Sequence, residues 1–243
     1  MYRTFAFVKR DFKRWSRARA NMISTMVMPI AWLLFVGLVL PVRSDYENYL
    51  DFVTPGILVL TMMNAGLSAG SSVMFDKTLG YLNKFLALPV PRESILFGKI
   101  LFFSFRGLIQ ATIILIVAIL IGATVHGPVY YLVMYLVLFL FGLTISSIGA
   151  TVSLYMPDFD SYSAFSSMIT MPLYFASTSL VAYEDMPTIL QYISMVNPLT
   201  YAIDSIRDIG NGGFPLMQTG VLLIILSVVL ALCIRKFRIV TMK

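Results

Sequence analysis

The 243-residue chain carries too few charged groups for a soluble protein, because 58% of its residues are hydrophobic and 12% are charged, whereas soluble domains have about 25% charged residues. A chain of this composition cannot cover a water-facing surface, so a lipid bilayer is its expected solvent. The net charge of +6 lies in short clusters between apolar runs. This pattern favours anionic membrane lipid, and not nucleic acid, as the partner.

The first 20 residues predict an amphipathic helix. Its apolar stripe, with one member every three or four residues, consists of Phe5, Val8, Phe12 and Trp15. We interpret the segment as an interface helix, with its apolar side in the inner leaflet and its bases toward the headgroups. The alternative is a helix docked on a soluble partner, and the two can hold together. The long basic leader, without a small-residue cleavage pattern, predicts an uncleaved segment and not a signal peptide.

Six apolar segments have about the 20 residues that a spanning helix needs. They are residues 21–40, 55–74, 101–121, 129–154, 164–181 and 216–234. The fifth is short, contains Pro172 and is rich in Ser and Thr, which suits an interior helix whose hydroxyls bond to neighbours or face water. The predicted fold is an all-α membrane protein with six transmembrane helices in a single domain, residues 1–243.

The distribution of Lys and Arg predicts the orientation of these spans. The leader carries seven such residues, the stretch from Lys77 to Arg106 carries five, and the C-terminal tail carries four. Only Arg43 and Arg207 lie elsewhere. We therefore expect the three basic segments on the cytoplasmic side of a cell (inner or cytoplasmic) membrane, with both termini in the cytoplasm, which an even number of spans requires.

The connection between the second and third spans, residues 75–92, predicts a short amphipathic helix. One face carries Leu79, Leu82, Phe85 and Leu86, and the other carries Lys77, Tyr81 and Lys84. Pro89 and Pro91 end the helix. A helix tied closely to two spans can transmit force from a cytoplasmic partner. The alternative is an ordinary interfacial helix.

The segment 182–215 lies between the fifth and sixth spans. Residues 186–195 and 199–209 each predict a short helix, and Asn197 and Pro198 separate them. Neither helix is long enough to span a membrane. We interpret the pair as an outer re-entrant or interfacial helical hairpin before the last span.

Two polar residues, Arg106 and Gln110, lie inside the third apolar run. A base within a membrane is a functional candidate by default. Arg106 is, however, close enough to the start of its span to extend to the headgroups, or to serve in a structural pair. Gly66 and Gly70 form a G-x-x-x-G pattern, which permits close contact between helices.

The sequence has no motif for catalysis or for nucleotide or metal binding. Gly98-Lys99 lacks both the upstream glycine and the following Ser or Thr of a phosphate-binding loop. His126 is the sole histidine and Cys233 the sole cysteine, so no catalytic triad, metal cluster or internal disulfide is expected. We predict that the chain is not an enzyme and has no cofactor of its own.

Three stretches taken in order resemble a known family. Tyr49–Ile57 (YLDFVTPGI) opens the second span, residues 76–92 with the following Gly98-Lys99 connect it to the third, and Asn197–Asp204 (NPLTYAID) precedes Arg207. Together they resemble the permease subunits of ABC type 2 exporters, the group that contains drug-resistance, nodulation-factor and polysaccharide exporters. The resemblance covers nearly the whole chain.

The resemblance implies a partnership. Two permease chains, expected to be a homodimer, would bind two copies of a separate ATPase subunit, which would hold ATP and Mg. Residues 79–86 would be the coupling helix in a cleft of that ATPase, and the path of an amphipathic drug, lipid or lipid-linked glycan would be bordered by Trp32, Phe35, Thr170, Tyr174 and Phe175. The contact with the ATPase would involve Asp76, Lys77, Leu79, Tyr81, Leu82, Lys84, Phe85 and Leu86.

Two other classes stay open on the residues alone. A channel or ion-coupled secondary transporter usually has intramembrane acids or inverted repeats, and the sequence shows neither clearly. A membrane enzyme or scaffold is the remaining alternative. ATP-independent flux would indicate the former class, and activity of the isolated chain would indicate the latter.

Overall fold

The computed structural model describes residues 2–39, 49–80 and 92–241. Within these ranges the chain forms helices and short connections, with no strand. The helices are α1 (Tyr2–Arg17), α2 (Arg19–Val39), α3 (Tyr49–Thr78), α4 (Arg92–Ile121), α5 (Pro128–Tyr155), α6 (Phe159–Phe175), α7 (Thr188–Val196), α8 (Pro198–Gly210) and α9 (Leu216–Thr241), with a short 3-10 helix at Tyr183–Asp185.

The chain is a multi-pass, all-α membrane protein. Four of its described helices, α3, α4, α5 and α9, are long and apolar enough to cross a bilayer. A fifth is reached if α1 and α2, which meet at 78°, count as one broken span. The predicted count of six, with α2 and α6 as separate spans, stays a prediction.

Several helices are longer than the apolar segments that predicted them. α3 begins at Tyr49 and not at residue 55, α4 begins at Arg92 and not at 101, and α9 continues to Thr241 and not 234. Hydropathy marks only the part of a helix at membrane depth, whereas main-chain hydrogen bonds continue through polar residues on either side.

The fifth apolar segment is a correction to the sequence interpretation, because its helix spans 159–175 and not 164–181. The hydroxyls of Ser177 and Ser179 both donate to the carbonyl of Tyr174, at 2.6 and 2.8 Å. A main-chain bond from Ala176 to the Pro172 carbonyl, 2.9 Å, closes the last turn. These serines satisfy carbonyls that further helix would have satisfied, so the chain leaves the helix there.

The other end of α6 has an ordinary helix cap. Asp158 accepts a hydrogen bond from the main-chain N–H of Ser161 at 2.8 Å. This bond stabilises the carboxylate and lowers the pKa of Asp158 from its usual value. The cap fixes the start of α6 only a few residues after the end of α5.

α3 lies at the centre of the bundle. It packs against α2, α4, α5, α6 and α8, and 83% of its most apolar stretch is buried. α9 lies at the edge, against α4, α5 and α8, and only 11% of its corresponding stretch is buried. Elements attached to α3 are therefore the ones best placed to affect the whole bundle.

The crossing of α3 and α5 depends on the predicted glycine pattern. A Cβ added to Gly70 would overlap the Gly149 carbonyl and the phenol of Tyr162. The Tyr162 hydroxyl donates to the carbonyl of Leu67 at 2.6 Å, which joins α6 to the same crossing. Glycine permits three helices to approach at this point.

Candidate functional site

The basic segments that are predicted to lie on the cytoplasmic side meet at one end of the helix bundle. Lys77, at the end of α3, donates to the carbonyl of Met156 at 2.9 Å, in the connection between α5 and α6. Arg238 of α9 pairs with Glu93 of α4 at 2.7 Å. We call this the basic end of the bundle, and the other the opposite end.

A buried ion pair joins α3 to α4 at the basic end. The Lys99 ammonium lies 2.6 Å from the Asp76 carboxylate, and the Lys99 side chain is only 3% exposed. Lys99 also donates to the carbonyl and hydroxyl of Ser72, at 2.8 and 2.7 Å. Because both charges are buried and each is compensated by the other, removing one would leave the other uncompensated. The pair therefore links the two helices that flank the inner connection.

The predicted ATPase contact is only partly visible. Asp76 and Lys77 take part in the contacts above, while Leu79 is 62% exposed at the end of α3. The predicted contact residues Tyr81, Leu82, Lys84, Phe85 and Leu86, with the helix-ending Pro89 and Pro91, lie outside the described residues. The structure thus shows only that the last turn of α3, directly before residues 79–86, is tied to α4 and to the connection after α5.

The apolar stripe of α1 divides into two sets. Trp15 is buried against Phe102 and Phe103 of α4, and Val8 is half-buried beside the same cluster. Phe5 and Phe12 are exposed. The expectation of one lipid-facing stripe is therefore wrong for Trp15, because α4 covers the part of α1 nearest the bend.

The two polar residues in α4 face protein. Gln110 donates to the Thr25 hydroxyl at 2.9 Å, which joins α4 to α2. Arg106 is buried, with its guanidinium carbon 5.9 Å from the Trp15 ring centre and 5.6 Å from that of Phe103. Arg106 is therefore buried beside these two rings, within the range of cation–π attraction, and does not extend along the surface as snorkelling would require.

Three of the five predicted path residues form an aromatic group. The Trp32 ring centre lies 6.4 Å from that of Tyr174 and 6.3 Å from that of Phe175, in edge-on arrangements. Tyr174 is buried, whereas Phe175 is exposed. Phe35 is exposed on α2, and the Thr170 hydroxyl bonds to the Ser166 carbonyl of its own helix. The structure brings α2 and α6 together at this aromatic group. The role of these residues in a cargo path stays a prediction.

The opposite end is fastened by Arg207 of α8. Its guanidinium donates to the carbonyl of Phe52 at 2.8 and 3.2 Å and to that of Ser179 at 3.3 Å. It also lies over the Phe52 ring, 3.7 Å from the centre. Asp204, one turn earlier, accepts from the Thr178 hydroxyl at 2.6 Å. α8 is thereby joined to the start of α3 and to the chain after α6.

Asn197 explains why the Asn-Pro pair separates two short helices. Its side-chain oxygen accepts from the N–H of Leu199 at 3.0 Å, which caps α8. Its amide donates to the carbonyl of Leu173 at 2.7 Å and to that of Ala176 at 3.3 Å, at the end of α6. Pro198 needs no N–H partner at the first helical position. The bounds 188–196 and 198–210 lie close to those expected, and the placement of this pair in the membrane stays a prediction.

Sequence reasoning missed Lys99 and the burial of Trp15. Sequence reasoning used Lys99 only as one of the cytoplasmic bases and as part of Gly98-Lys99, and it assigned this lysine no partner. The available signal was a base shortly before the third apolar run, together with an acid at the end of the preceding span. A charge at that depth needs a partner. Glu93 is nearer along the chain, but Asp76 is the acid that the structure places beside Lys99.

The comparisons with known proteins decide the family. The model of the family described as ABC-2 type transporter matches residues 2–210. The chain belongs to this family. The match covers α1 to α8, and therefore includes Asp76, Lys77, Lys99 and Arg207 of this ABC-2 chain, but not Arg238 of α9.

Three relatives indicate the range of the ABC-2 chains to which this one is similar. A putative transport permease ycf38 of Cyanophora paradoxa is 35% identical over 209 residues, covering 84% of this chain and 72% of the relative. The daunorubicin resistance ABC transporter permease protein DrrB1 of Streptomyces coeruleorubidus is 26% identical, covering 84% and 73%. Nodulation protein J of Rhizobium leguminosarum bv. viciae is 24% identical, covering 82% and 78%. The chain is thus a membrane subunit of an ABC transporter.

Proposed function

We propose that this chain is the membrane-spanning subunit of an exporter that moves an amphipathic molecule, a drug, lipid or lipid-linked glycan, out of the cytoplasm. The family match over residues 2–210 carries the proposal. The names of a drug-resistance permease and a nodulation protein among the relatives support export of such cargo.

The proposed topology has six spans, α2, α3, α4, α5, α6 and α9, in a cell membrane. The basic end faces the cytoplasm, and both termini lie on that side. Support comes from the meeting of lysine- and arginine-rich segments at one end, since such segments favour the cytoplasmic side. α7 and α8 then form the outer helical hairpin before the last span.

The energy would come from a separate ATPase subunit that holds ATP and Mg. Residues 79–86 would dock on it as a coupling helix, and α1 would lie beside it. When nucleotide binding favours one arrangement of the ATPases, the helices tied to residues 79–86 follow as a body. The Asp76–Lys99 pair supports this role, because it makes α3 and α4 respond together.

The working unit would be two permease chains, expected to be identical, with two ATPase subunits. α6 supports a second chain as its neighbour, because Ser163 and Ser167 are exposed beside Met168. Small and hydroxyl-bearing residues favour helix–helix contact within a membrane. The cargo path would then run beside α2 and α6, past Trp32, Phe35, Thr170, Tyr174 and Phe175.

The test is reconstitution with a candidate ATPase in lipid vesicles. Cargo accumulation and ATP hydrolysis are measured for the wild type and for Leu82→Asp and Phe85→Asp, each of which places a charge on the apolar face of the coupling helix. We expect both variants to insert normally but to lose ATPase binding or cargo-stimulated hydrolysis. Phe214→Asp, a matched change at an exposed phenylalanine between α8 and α9, should behave as wild type.

Two results would contradict the proposal. Unchanged assembly and transport in both coupling-helix variants would remove the assigned contact. Cargo flux without ATP, driven by a proton or sodium gradient, would favour an ion-coupled transporter or channel.

A further inference from the structure

A cavity lined by both charged and apolar side chains opens at the basic end between α1, α3 and α4. Its volume is about 460 Å³, and its walls combine charged groups with aromatic rings. The charged members are Asp11 and Arg14 of α1, Asp76 of α3 and Arg106 of α4. The proposed transport cycle uses only Asp76 of these four, so the remaining charges need another explanation.

Both acids of the cavity already have a base. Asp11 lies 2.7 Å from the Arg10 guanidinium, and Asp76 lies 2.6 Å from the Lys99 ammonium. Across residues 2–39, 49–80 and 92–241, neither Arg14 nor Arg106 has an acid within ion-pair distance. The cavity therefore has excess positive charge after its internal pairs are formed.

Arg106 is the buried base of this cavity whose hydrogen-bonding capacity the described residues leave unsatisfied. It is 8% exposed, and its Nε has no hydrogen-bond partner in the part of the chain that the structure describes. The ring centres of Trp15 and Phe103 lie 5.9 and 5.6 Å from the guanidinium carbon, but the rings accept no conventional hydrogen bond. A buried guanidinium is strongly disfavoured unless an anion or acceptor satisfies it.

The neighbouring groups fit an oxyanion joined to an apolar body. The indole Nε1 of Trp15 also lacks an acceptor among the described residues, and it belongs to the same cavity wall. Serines of α3, including Ser71, add hydroxyl donors, while Phe75 and Phe102 supply apolar wall. A phosphate matches the planar donor set of arginine, and glycerol and acyl groups match the rings.

We propose that this cavity binds the phosphate headgroup of an anionic lipid, with Arg106 as the main ligand and Trp15 Nε1 as a second donor. α1 supports lipid as the source, because its exposed Phe5 and Phe12 suit the bilayer interface. The inference is independent of the proposed export function, since it requires neither ATP nor an ATPase.

Fluorescence of Trp15 provides the test. The chain has two tryptophans, so Trp32→Phe leaves Trp15 as the only one. The purified full chain in mixed micelles is titrated with phospholipid brominated on its acyl chains, carrying either phosphatidylglycerol or phosphatidylcholine headgroups. We expect half-maximal quenching by the anionic lipid at a mole fraction at least about tenfold lower than by the zwitterionic lipid.

Matched variants separate the site from general charge attraction. Arg106→Gln should abolish the preference for phosphatidylglycerol. Lys13→Gln removes one exposed base of α1 outside the cavity, and should leave the preference unchanged. Equal preference in wild type and Arg106→Gln, or no preference in wild type, would overturn the proposal.

Two further arms keep the experiment decisive. If Arg106→Gln does not fold, Arg106→Lys should weaken the preference because it loses the planar donor set, and an unchanged preference would contradict the assignment. Millimolar inorganic phosphate should not displace the brominated anionic lipid. Full displacement would show a site for free phosphate and overturn the lipid assignment.

Discussion

The two ends of the bundle hold α3 by different chemistry. At the basic end, Asp76 and Lys99 form an ion pair between side chains, buried between two long helices. At the opposite end, Arg207 donates to the main-chain carbonyls of Phe52 and Ser179. An ion pair depends on both side chains, whereas a carbonyl is present whatever residue supplies it. The basic end should therefore be sensitive at two positions, and the opposite end mainly at one.

The largest expected effect is at the basic end. Lys99→Met leaves the Asp76 carboxylate buried without its base, and should destabilise the folded chain by about 3–5 kcal/mol. The double variant Asp76→Leu with Lys99→Met removes both charges, and should recover most of the loss. Thermal unfolding in detergent measures both, and equal stability of the single variant and wild type would show that the pair contributes nothing.

A smaller effect is expected at Arg207. Arg207→Gln removes the bonds to two carbonyls, and should destabilise the chain by about 2–3 kcal/mol, because hydrogen bonds to charged groups contribute roughly 1.5–3 kcal/mol. Phe52→Leu keeps the carbonyl and loses only the ring under the guanidinium, so it should lose about 1 kcal/mol. If Phe52→Leu proves as damaging as Arg207→Gln, the carbonyl contacts are not the main connection.

Substitutions of Asn197 should have smaller effects on stability. They can separate its role as the α8 cap from its role as a donor to the end of α6. Asn197→Ala loses both the α8 cap and the amide donors to α6, and about 1–2 kcal/mol of stability is expected to be lost. Asn197→Asp keeps an oxygen for the cap but loses the donors to Leu173 and Ala176. Unfolding transitions should rank wild type above the alanine variant. An aspartate variant as stable as wild type would assign the whole contribution to the cap.

The smallest effect is expected at Asp158. Its lowered pKa means that the folded state favours the carboxylate, so the stabilisation is fully present above the unfolded pKa of about 3.9. It is lost as the pH falls through the lower folded pKa. Asp158→Asn, a comparable cap, should lose this pH dependence while keeping near-neutral stability. Identical acid unfolding curves for both proteins would contradict the assignment.

The sequence alone can predict structural features that depend on residues close together along the chain. Apolar runs located the centres of the long helices, and the Asn197-Pro198 pair located the break between α7 and α8. The end of α6 was missed because Ser177 and Ser179 continue a mixed apolar pattern, and their hydroxyl bonds depend on local geometry.

Contacts between distant helices could not be predicted in this way. The pairing of Lys99 with Asp76 depends on the register of α4 against α3, which no single-helix pattern contains. Helical periodicity likewise placed Trp15 on a stripe of α1, but it could not show that α4 covers Trp15 and leaves Phe5 uncovered. The candidate site is therefore known from sequence as a set of segments, and from structure as a set of contacts.

The bond from Lys77 to the Met156 carbonyl has a mechanical consequence. Met156 lies three positions before the first residue of α6. A displacement of the last turn of α3 can therefore reach the start of α6 directly through this contact, without passing along the length of any other helix. This single hydrogen bond therefore couples the position of the end of α3 to that of the start of α6.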